Sequence, residues 1–363
     1  MLDLLAPIAA ACDTSIPEEH RVPVAIVGAG AIVDVAHLPA YRAAGLEIAG
    51  IFDIDARRAA EVAERHGLPR VYPSLDALLA DENVRVIDIA VAPEAQPGIA
   101  RQAIAAGKHL LCQKPFVPDA ETGEELIEAA EQAGVLIAVN QQLRYDEGLA
   151  AARAMVDAGW IGEVTAMTFT VNIATDWTPW PWLVRSDRLE ISYHSIHYLD
   201  AIRAVLGDPD RVFCAGGRTP GQVAAGETRT MSTLLFPGGA RGLVHATHEN
   251  RTGDPEAAFR IDGAAGSVKG TLGLLYDYPH GRPDTLEVSS GVVPTDGWLA
   301  YPVTTRWIPD AFAGPMGSLL KAIAAGGEPW PSARDKLGTI RMVDALYKSM
   351  DSGDSVPVKT VYP

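Results

Sequence analysis

Hydrophobic positions in the first third of the chain fall into short unbroken runs separated by amphipathic stretches. Residues 22–28 (VPVAIVG) form such a run, the pattern of a parallel strand covered on both faces. Residues 46–54 (LEIAGIFDI) predict a second strand, and 56–67 a helix whose end is marked by Gly67 and Pro69. The alternation continues with a helix over 74–81, a strand over 84–92, a helix over 97–107, a strand over 109–113, a helix over 119–134 and a strand over 135–140. Repeated strand–helix units of this length build an α/β structure, a doubly wound parallel sheet with helices on both faces, expected over 21–144.

Beyond about residue 145 the texture changes. A helix over 148–162 leads into a strand over 164–174, a Trp/Pro-rich loop over 175–187 and a helix over 193–207. Strand-like runs follow at 211–217, 228–239, 241–250, 257–273 and 274–281, joined by Gly/Pro turns without intervening helices. That spacing predicts a large, mostly antiparallel sheet in an α+β domain over 145–363. Two closing helices, within about 314–353, are expected to pack back on the first domain. Residues 1–20 read as an N-terminal extension with room for a short helix.

Composition narrows the partners. Of 363 residues, 48% are hydrophobic and 21% charged, enough apolar side chain for two cores. Lys plus Arg number 30 against 46 acidic residues, a formal net charge of -16 that repels phosphate backbones and anionic lipid. Neither nucleic acid nor membrane is an expected partner. Cys12, Cys112 and Cys214 are too sparse for a disulfide framework and lack metal-ligand spacing, which suits a reducing cytoplasm. No apolar run reaches the roughly 18–20 residues a membrane helix needs. The apolar amino terminus lacks the basic residues that precede a secretory leader.

The first turn carries the first specific chemistry. Gly28-Ala29-Gly30-Ala31-Ile32-Val33 follows the first strand and opens a helix. Gly28 allows a tight turn, Gly30 lets backbone approach a pyrophosphate, and the helix start at Ala31 and Ile32 presents N–H groups to that anion. Val33 stands where the fingerprint has a third Gly or Ala. Asp53 closes the second strand, close to the spacing at which an acidic residue takes the ribose 2′-hydroxyl. A carboxylate there repels a 2′-phosphate, which favours NAD over NADP, although Arg57 and Arg58 stand nearby. This is the Rossmann arrangement.

The order GAGAIVDVAHLPAY (28–41), FDIDARRAAEVAERHG (52–67), AAGKHLLCQKPFVPD (105–119), HYLDAIRAVLG (197–207) and RIDGAAGSVKG (260–270) resembles the Gfo/Idh/MocA oxidoreductase family. The resemblance implies an NAD(P)-dependent enzyme acting on sugars, cyclitols or their derivatives, assembled as a homodimer or homotetramer. The family's EKP motif is matched by Gln113-Lys114-Pro115, with a cis peptide implied before Pro115 and Gln113 replacing a Glu. Its catalytic helix, DxGxHxxD, is matched by residues 193–200: His197 and Asp200 fit, and Tyr193 stands where an Asp is expected. Ala92 and Pro93 match the nicotinamide-side loop, with Gln96 where a His is common. Asn140 and Arg144 sit where the family has an Asn/Arg pair, open to substrate contact or to a purely structural role.

Lys114, at a strand tip, can orient a substrate hydroxyl and stabilise oxyanion charge; its bland alternative is a solvated surface lysine. His197 is the expected general base, because imidazole titrates near neutrality. Tyr193, four residues earlier, shares a helical face with it and is expected to bind or relay, with His194 not far around. Trp177, Trp180 and Trp182 offer indole faces to a sugar ring, or equally to an oligomer contact or loop core. The pairs His194–His197 and His245–His248 lack further ligands, so no metal is expected. The leading expectation is an NAD-dependent dehydrogenase interconverting a secondary alcohol and a ketone on a sugar, sugar acid or cyclitol. An NAD-retaining hydrolase or epimerase-like relative, and a non-catalytic dinucleotide sensor, are the alternatives.

Overall fold

The computed structural model describes residues 2–359; residue 1 and residues 360–363, at the ends of the expected extension and second domain, lie outside it. The chain divides into two compact units, one of Thr14–Gln142 with Ile308–Ile340, the other of Met1–Asp13, Leu143–Trp307 and Arg341–Pro363.

In the first of these, the strands β1 (Val24–Val27), β2 (Ile48–Phe52), β3 (Val86–Ile89), β4 (His109–Gln113) and β5 (Ile137–Asn140) form a sheet in the order β2-β1-β3-β4-β5. Every pairing is parallel. All residues of β1, β3 and β5 are buried, which is why these strands read as apolar runs rather than alternating ones. Asp88, inside β3, is the exception. Local chemistry ends the helices: Asp55 accepts from the Arg58 N–H at 3.2 Å to open Ala56–His66, and left-handed Gly67 closes it. Asp119 and Gly134 do the same for Ala120–Ala133. Each such N-cap contributes about 1 kcal/mol. The helix Ala313–Ala325 packs on β4 and β5. Strand order reverses between β1 and β3, and the carboxyl ends of those strands flank the crevice where such sheets take ligands.

The other unit is built on nine strands: β6 (Val164–Asn172), β7 (Arg211–Gly217), β8 (Arg229–Leu235), β9 (Arg241–Thr247), β10 (Glu256–Gly263), β11 (Gly266–Thr271), β12 (Leu286–Ser290), β13 (Leu299–Tyr301) and β14 (Val356–Pro357). Their order is β13-β12-β11-β10-β6-β9-β8-β7-β14. Only β6 and β9 pair in parallel, as the expected mostly antiparallel sheet requires. Burial alternates along β7, β8 and β9, so one face is core and the other open. On the core face Phe169 stacks on Tyr198 of the helix Ile196–Leu206, ring centroids 5.2 Å apart. The amino-terminal helix Leu2–Ala11 packs on the helix Glu147–Asp157.

One expected strand is corrected. Residues 274–281 do not extend the sheet: Gly273–Tyr276 is a 3-10 turn, and the chain closes at Gly281 (φ 61°), whose N–H donates to the Asp277 carbonyl at 2.6 Å. Asp, Pro and Gly in that run favour a turn over a ladder. The sheet continues instead in β12 and β13, short and half polar, which the pattern did not expose. Among the described residues no helix is long and apolar enough to cross a membrane.

Candidate active site

The turn after β1 is shaped by two glycines with different constraints. Gly28 has φ 109°, and a Cβ there would run into the Ala90 carbonyl at the end of β3. A Cβ on Gly30 would meet nothing within 4 Å: this is open space of the kind a pyrophosphate needs. The Gly30 carbonyl accepts from the N–H groups of Val33 (3.0 Å) and Asp34 (3.2 Å), so the helix begins directly beyond it, with Ala31 and Ile32 at its start. It opens as a π-helical turn, Val33–His37, before continuing as the α-helix Leu38–Ala43. Val33 is fully buried in that wider turn, where the fingerprint uses a smaller residue.

Asp53 stands across this turn. Its Oδ2 accepts from the Ala29 N–H at 2.7 Å and its Oδ1 from the Asp55 N–H at 2.8 Å. Each oxygen keeps a lone pair for a ribose hydroxyl, so the residues present fit a dinucleotide. Arg58 reaches to 4.0 Å from Asp53 and also pairs with Asp55, while Arg57 is exposed and paired with Glu61. Ala92 and Pro93 follow Ala90 in the loop leaving β3.

Lys114 follows β4, at the same carboxyl edge of the sheet. It is half-buried, and burial pushes its ammonium down to about 8. The Lys114–Pro115 peptide is cis. The turn is gripped by side-chain amides. Gln96 donates to the carbonyls of Gln113 (2.8 Å), Pro115 (3.1 Å) and Phe116 (2.8 Å), and accepts from the Gln113 N–H at 3.0 Å. Gln113 accepts from the Lys114 N–H at 2.7 Å and turns its NH2 to His37 Nε2 at 3.1 Å. Asn140, fully buried, places its Nδ2 3.3 Å from the same nitrogen.

The remaining candidates belong to the unit with the nine-stranded sheet. The segment entering the helix Ile196–Leu206 is a second π-helical turn, Ile191–Ser195. Tyr193 packs edge-on against Trp182 at 5.2 Å, whereas His197, 7% exposed, packs against Trp307 at 5.2 Å. His194 lies 4.4 Å from the His248 ring and 5.1 Å from Trp177. Trp177 is 3% exposed and Trp182 38%, so only the second presents a broad indole face. Trp180 packs loosely on Tyr278 at 6.5 Å. Arg144 and Asp200 form a buried two-pronged pair at 2.6 and 2.9 Å, which gives the later acid of the helix a structural partner.

Several residues not singled out from the sequence hold this machinery. Glu227 caps the start of the π turn, accepting from the N–H groups of Leu189 and Ile191 and from Tyr347; burial raises its carboxyl above the usual range. Glu190 accepts from the hydroxyls of Ser195 (2.6 Å) and Thr230 (2.5 Å). Asp88 did carry a signal, as a charge within a doubly buried run. Gln96 carried only its family departure, and His248 only its pairing with His245. Among the described residues no three His, Cys, Asp or Glu gather in a metal-holding group.

Two family models match in succession: "Oxidoreductase family, NAD-binding Rossmann fold" over residues 22–141, and "GFO/IDH/MocA C-terminal domain" over 149–269. The chain is 28% identical over 333 residues to a D-apiose dehydrogenase of Paraburkholderia graminis, covering 90% of this chain and 87% of that protein. It is 26% identical to a D-xylose 1-dehydrogenase (NADP(+)) of Haloferax volcanii, covering 91% of this chain and 98% of that one. Among solved structures, an oxidoreductase from Agrobacterium radiobacter in complex with NAD+, L-tartaric acid and magnesium superposes with a TM-score of 0.82 at 25% identity, covering 93% of this chain and 98% of that chain.

Proposed function

Since the chain belongs to the GFO/IDH/MocA family of NAD(P)-dependent oxidoreductases acting on CH–OH groups, we propose that it is an NAD-dependent dehydrogenase that interconverts a secondary alcohol and a ketone on a sugar, sugar acid or cyclitol. The observation that carries this reading is the carboxyl edge of the parallel sheet. There the Gly28–Gly30 turn, the Asp53 carboxylate and the half-buried Lys114 ammonium emerge from the carboxyl ends of β1, β2 and β4 of the one sheet. Bound nicotinamide supplies the hydride acceptor. Of the chain's own residues, His197 is the proposed general base, Lys114 the proposed counter-charge for an alkoxide, and Tyr193 a proposed substrate contact. His194, Trp177, Trp182, Asn140 and Arg144 complete the candidate substrate set, the last two from buried positions that support the site rather than stand open to it.

NAD is favoured over NADP because Asp53 keeps a free lone pair for a 2′-hydroxyl and repels a phosphate. Asp53→Ala is expected to lower the NAD:NADP preference in kcat/KM by about tenfold or more. An unchanged ratio would remove Asp53 from this role. The names of these relatives put D-apiose and D-xylose at the head of a panel that also holds polyols and sugar acids, with NADH formation as the readout. No turnover of any sugar in either direction would overturn the reading. For the assembly we propose a homo-oligomer, dimer or tetramer, joined through the open sheet face; three unpaired thiols suit a reducing cytoplasm.

A further inference from the structure

This inference deepens the reading above, because it concerns how Lys114 is held. Asp88 puts a carboxylate into the middle of the sheet, where an unpartnered charge is costly. Its Oδ2 accepts from the Tyr41 hydroxyl at 2.8 Å and faces His37 Nδ1 at 2.6 Å. Tyr41, His37 and Asp88 are all 0% exposed, so no water completes this set from bulk solvent.

The direction of every bond follows from one atom that has no choice. The Lys114 backbone N–H can only donate, and it lies 2.7 Å from Gln113 Oε1. That end of the amide is therefore oxygen, and its NH2 is the group 3.1 Å from His37 Nε2. Nε2 must accept. The imidazole proton then sits on Nδ1 and is donated to Asp88, with the ring neutral. Asn140 from β5 offers Nδ2 to the same acceptor at 3.3 Å, and Phe312 closes the ring edge at a centroid distance of 5.0 Å. Asp88, Tyr41, Gln113, Asn140 and Phe312 thus face the imidazole, and Asp88 is the only charge among them.

We propose that His37 is a positioning residue for Lys114: it fixes the Gln113 amide that receives the Lys114 N–H, and so sets where the ammonium is presented at the strand tip. Gln96 grips the same turn from its other side, through the carbonyls of Gln113, Pro115 and Phe116, so the backbone just beyond the end of β4 is held by a side chain. His37 is the last residue of the π turn that begins just beyond Gly30. The dinucleotide turn and the lysine turn therefore share one rigid connection, built without touching substrate.

The test uses the full chain with His37→Asn and His37→Gln, each with and without Lys114→Ala. An Asn amide can still reach Asp88 but leaves Gln113 without its acceptor; a Gln side chain can restore an oxygen to it. We expect His37→Asn to lower kcat about 10- to 100-fold with KM and NAD affinity little changed, and His37→Gln to recover most of the loss. In the Lys114→Ala background His37→Asn should cost nothing further. Equal losses in both backgrounds, or no advantage of Gln over Asn, would overturn the proposal. Should His37→Asn fail to fold, Gln113→Met removes the same link from the other end and carries the same expectations. A second readout is independent of turnover: the Lys114 ammonium, followed by NMR in lysine-labelled protein, should titrate at a higher pH in His37→Asn than in the parent, with His37→Gln close to the parent. An unmoved titration refutes the positioning role even if no sugar is ever turned over, whereas a shift without turnover refutes only the functional reading.

Discussion

Two neighbouring glycines at the first turn lead to opposite expectations. Gly28→Ala combines a positive φ with collision against the Ala90 carbonyl, and should lower stability by about 2 kcal/mol or more, read as a fall in Tm. Gly30→Ala meets open space; Tm should hold while NAD affinity, measured by NADH fluorescence, drops at least tenfold. Lys114 gives a pH signature. Burial brings its ammonium down to about 8, so its charge is present below that pH and lost above it. Alcohol oxidation, as kcat/KM, should therefore fall above about pH 8, and Lys114→Arg should move that falling limb to higher pH because a guanidinium stays charged. Gly28, Asp53 and Lys114 were legible as residues because each sits at a strand end that its own flanking sequence announces. His37 was not: its role depends on Asp88 and Gln113, 51 and 76 residues away.

At the scale of elements, both helices that carry candidate histidines open with a π turn, Val33–His37 and Ile191–Ser195. Such turns cluster at functional sites because the inserted residue rotates side chains off the regular helical face. The i, i+4 spacing of Tyr193 and His197 implied a common face. In the structure Tyr193 packs on Trp182 and His197 on Trp307, and periodicity alone does not reveal the π turn that precedes His197. A second element-level feature is the meeting of Asp146, at the start of the helix Glu147–Asp157, with Asp284, whose Oδ1 accepts from the Gly273 N–H at 2.6 Å. Burial and the neighbouring Asp146 raise the Asp284 carboxyl well above its usual range, and burial raises Asp146 too. A raised carboxyl keeps a proton that the unfolded chain releases. The stabilisation is thus full below about pH 4, the unfolded value, and is lost as pH climbs toward the folded one. Asp284→Asn keeps the bond from the Gly273 N–H without the charge; it should stabilise the fold by ~1–2 kcal/mol at neutral pH and flatten the pH dependence of Tm. Unchanged melting across pH 4–7 would dismiss this account.

For the whole molecule, the open face of the nine-stranded sheet decides the assembly expectation. Phe213, Met231 and Leu243 lie 39%, 55% and 40% exposed, with Thr233 paired to both Phe213 and Leu243 across adjacent strands. Large apolar side chains exposed on adjacent strands of a broad sheet mark an interaction surface. The double variant Met231→Glu/Leu243→Glu should shift the species seen by light scattering toward monomer while leaving Tm of the monomer near that of the parent. An unchanged mass would exclude this face. The pattern of strands and helices was enough to foresee two different sheets. It was not enough to foresee that the helix Ala333–Ser352 runs from one unit into the other.

What the sequence determined by itself is what neighbours along the chain decide: the buried parallel strands, the helix caps at Asp55 and Asp119, the glycine turn and the acid that closes β2. These depend on period, on φ and on hydrogen bonds spanning a few residues. Tertiary structure alone decided the partners of the buried polar groups: Asp88 with His37, Gln96 with the Lys114 turn, Arg144 with Asp200, and His248 with Thr175. The reason is physical. A buried donor or acceptor must find a mate, and when the mate is tens of residues distant only the closed sheet and its packed helices bring the two within reach.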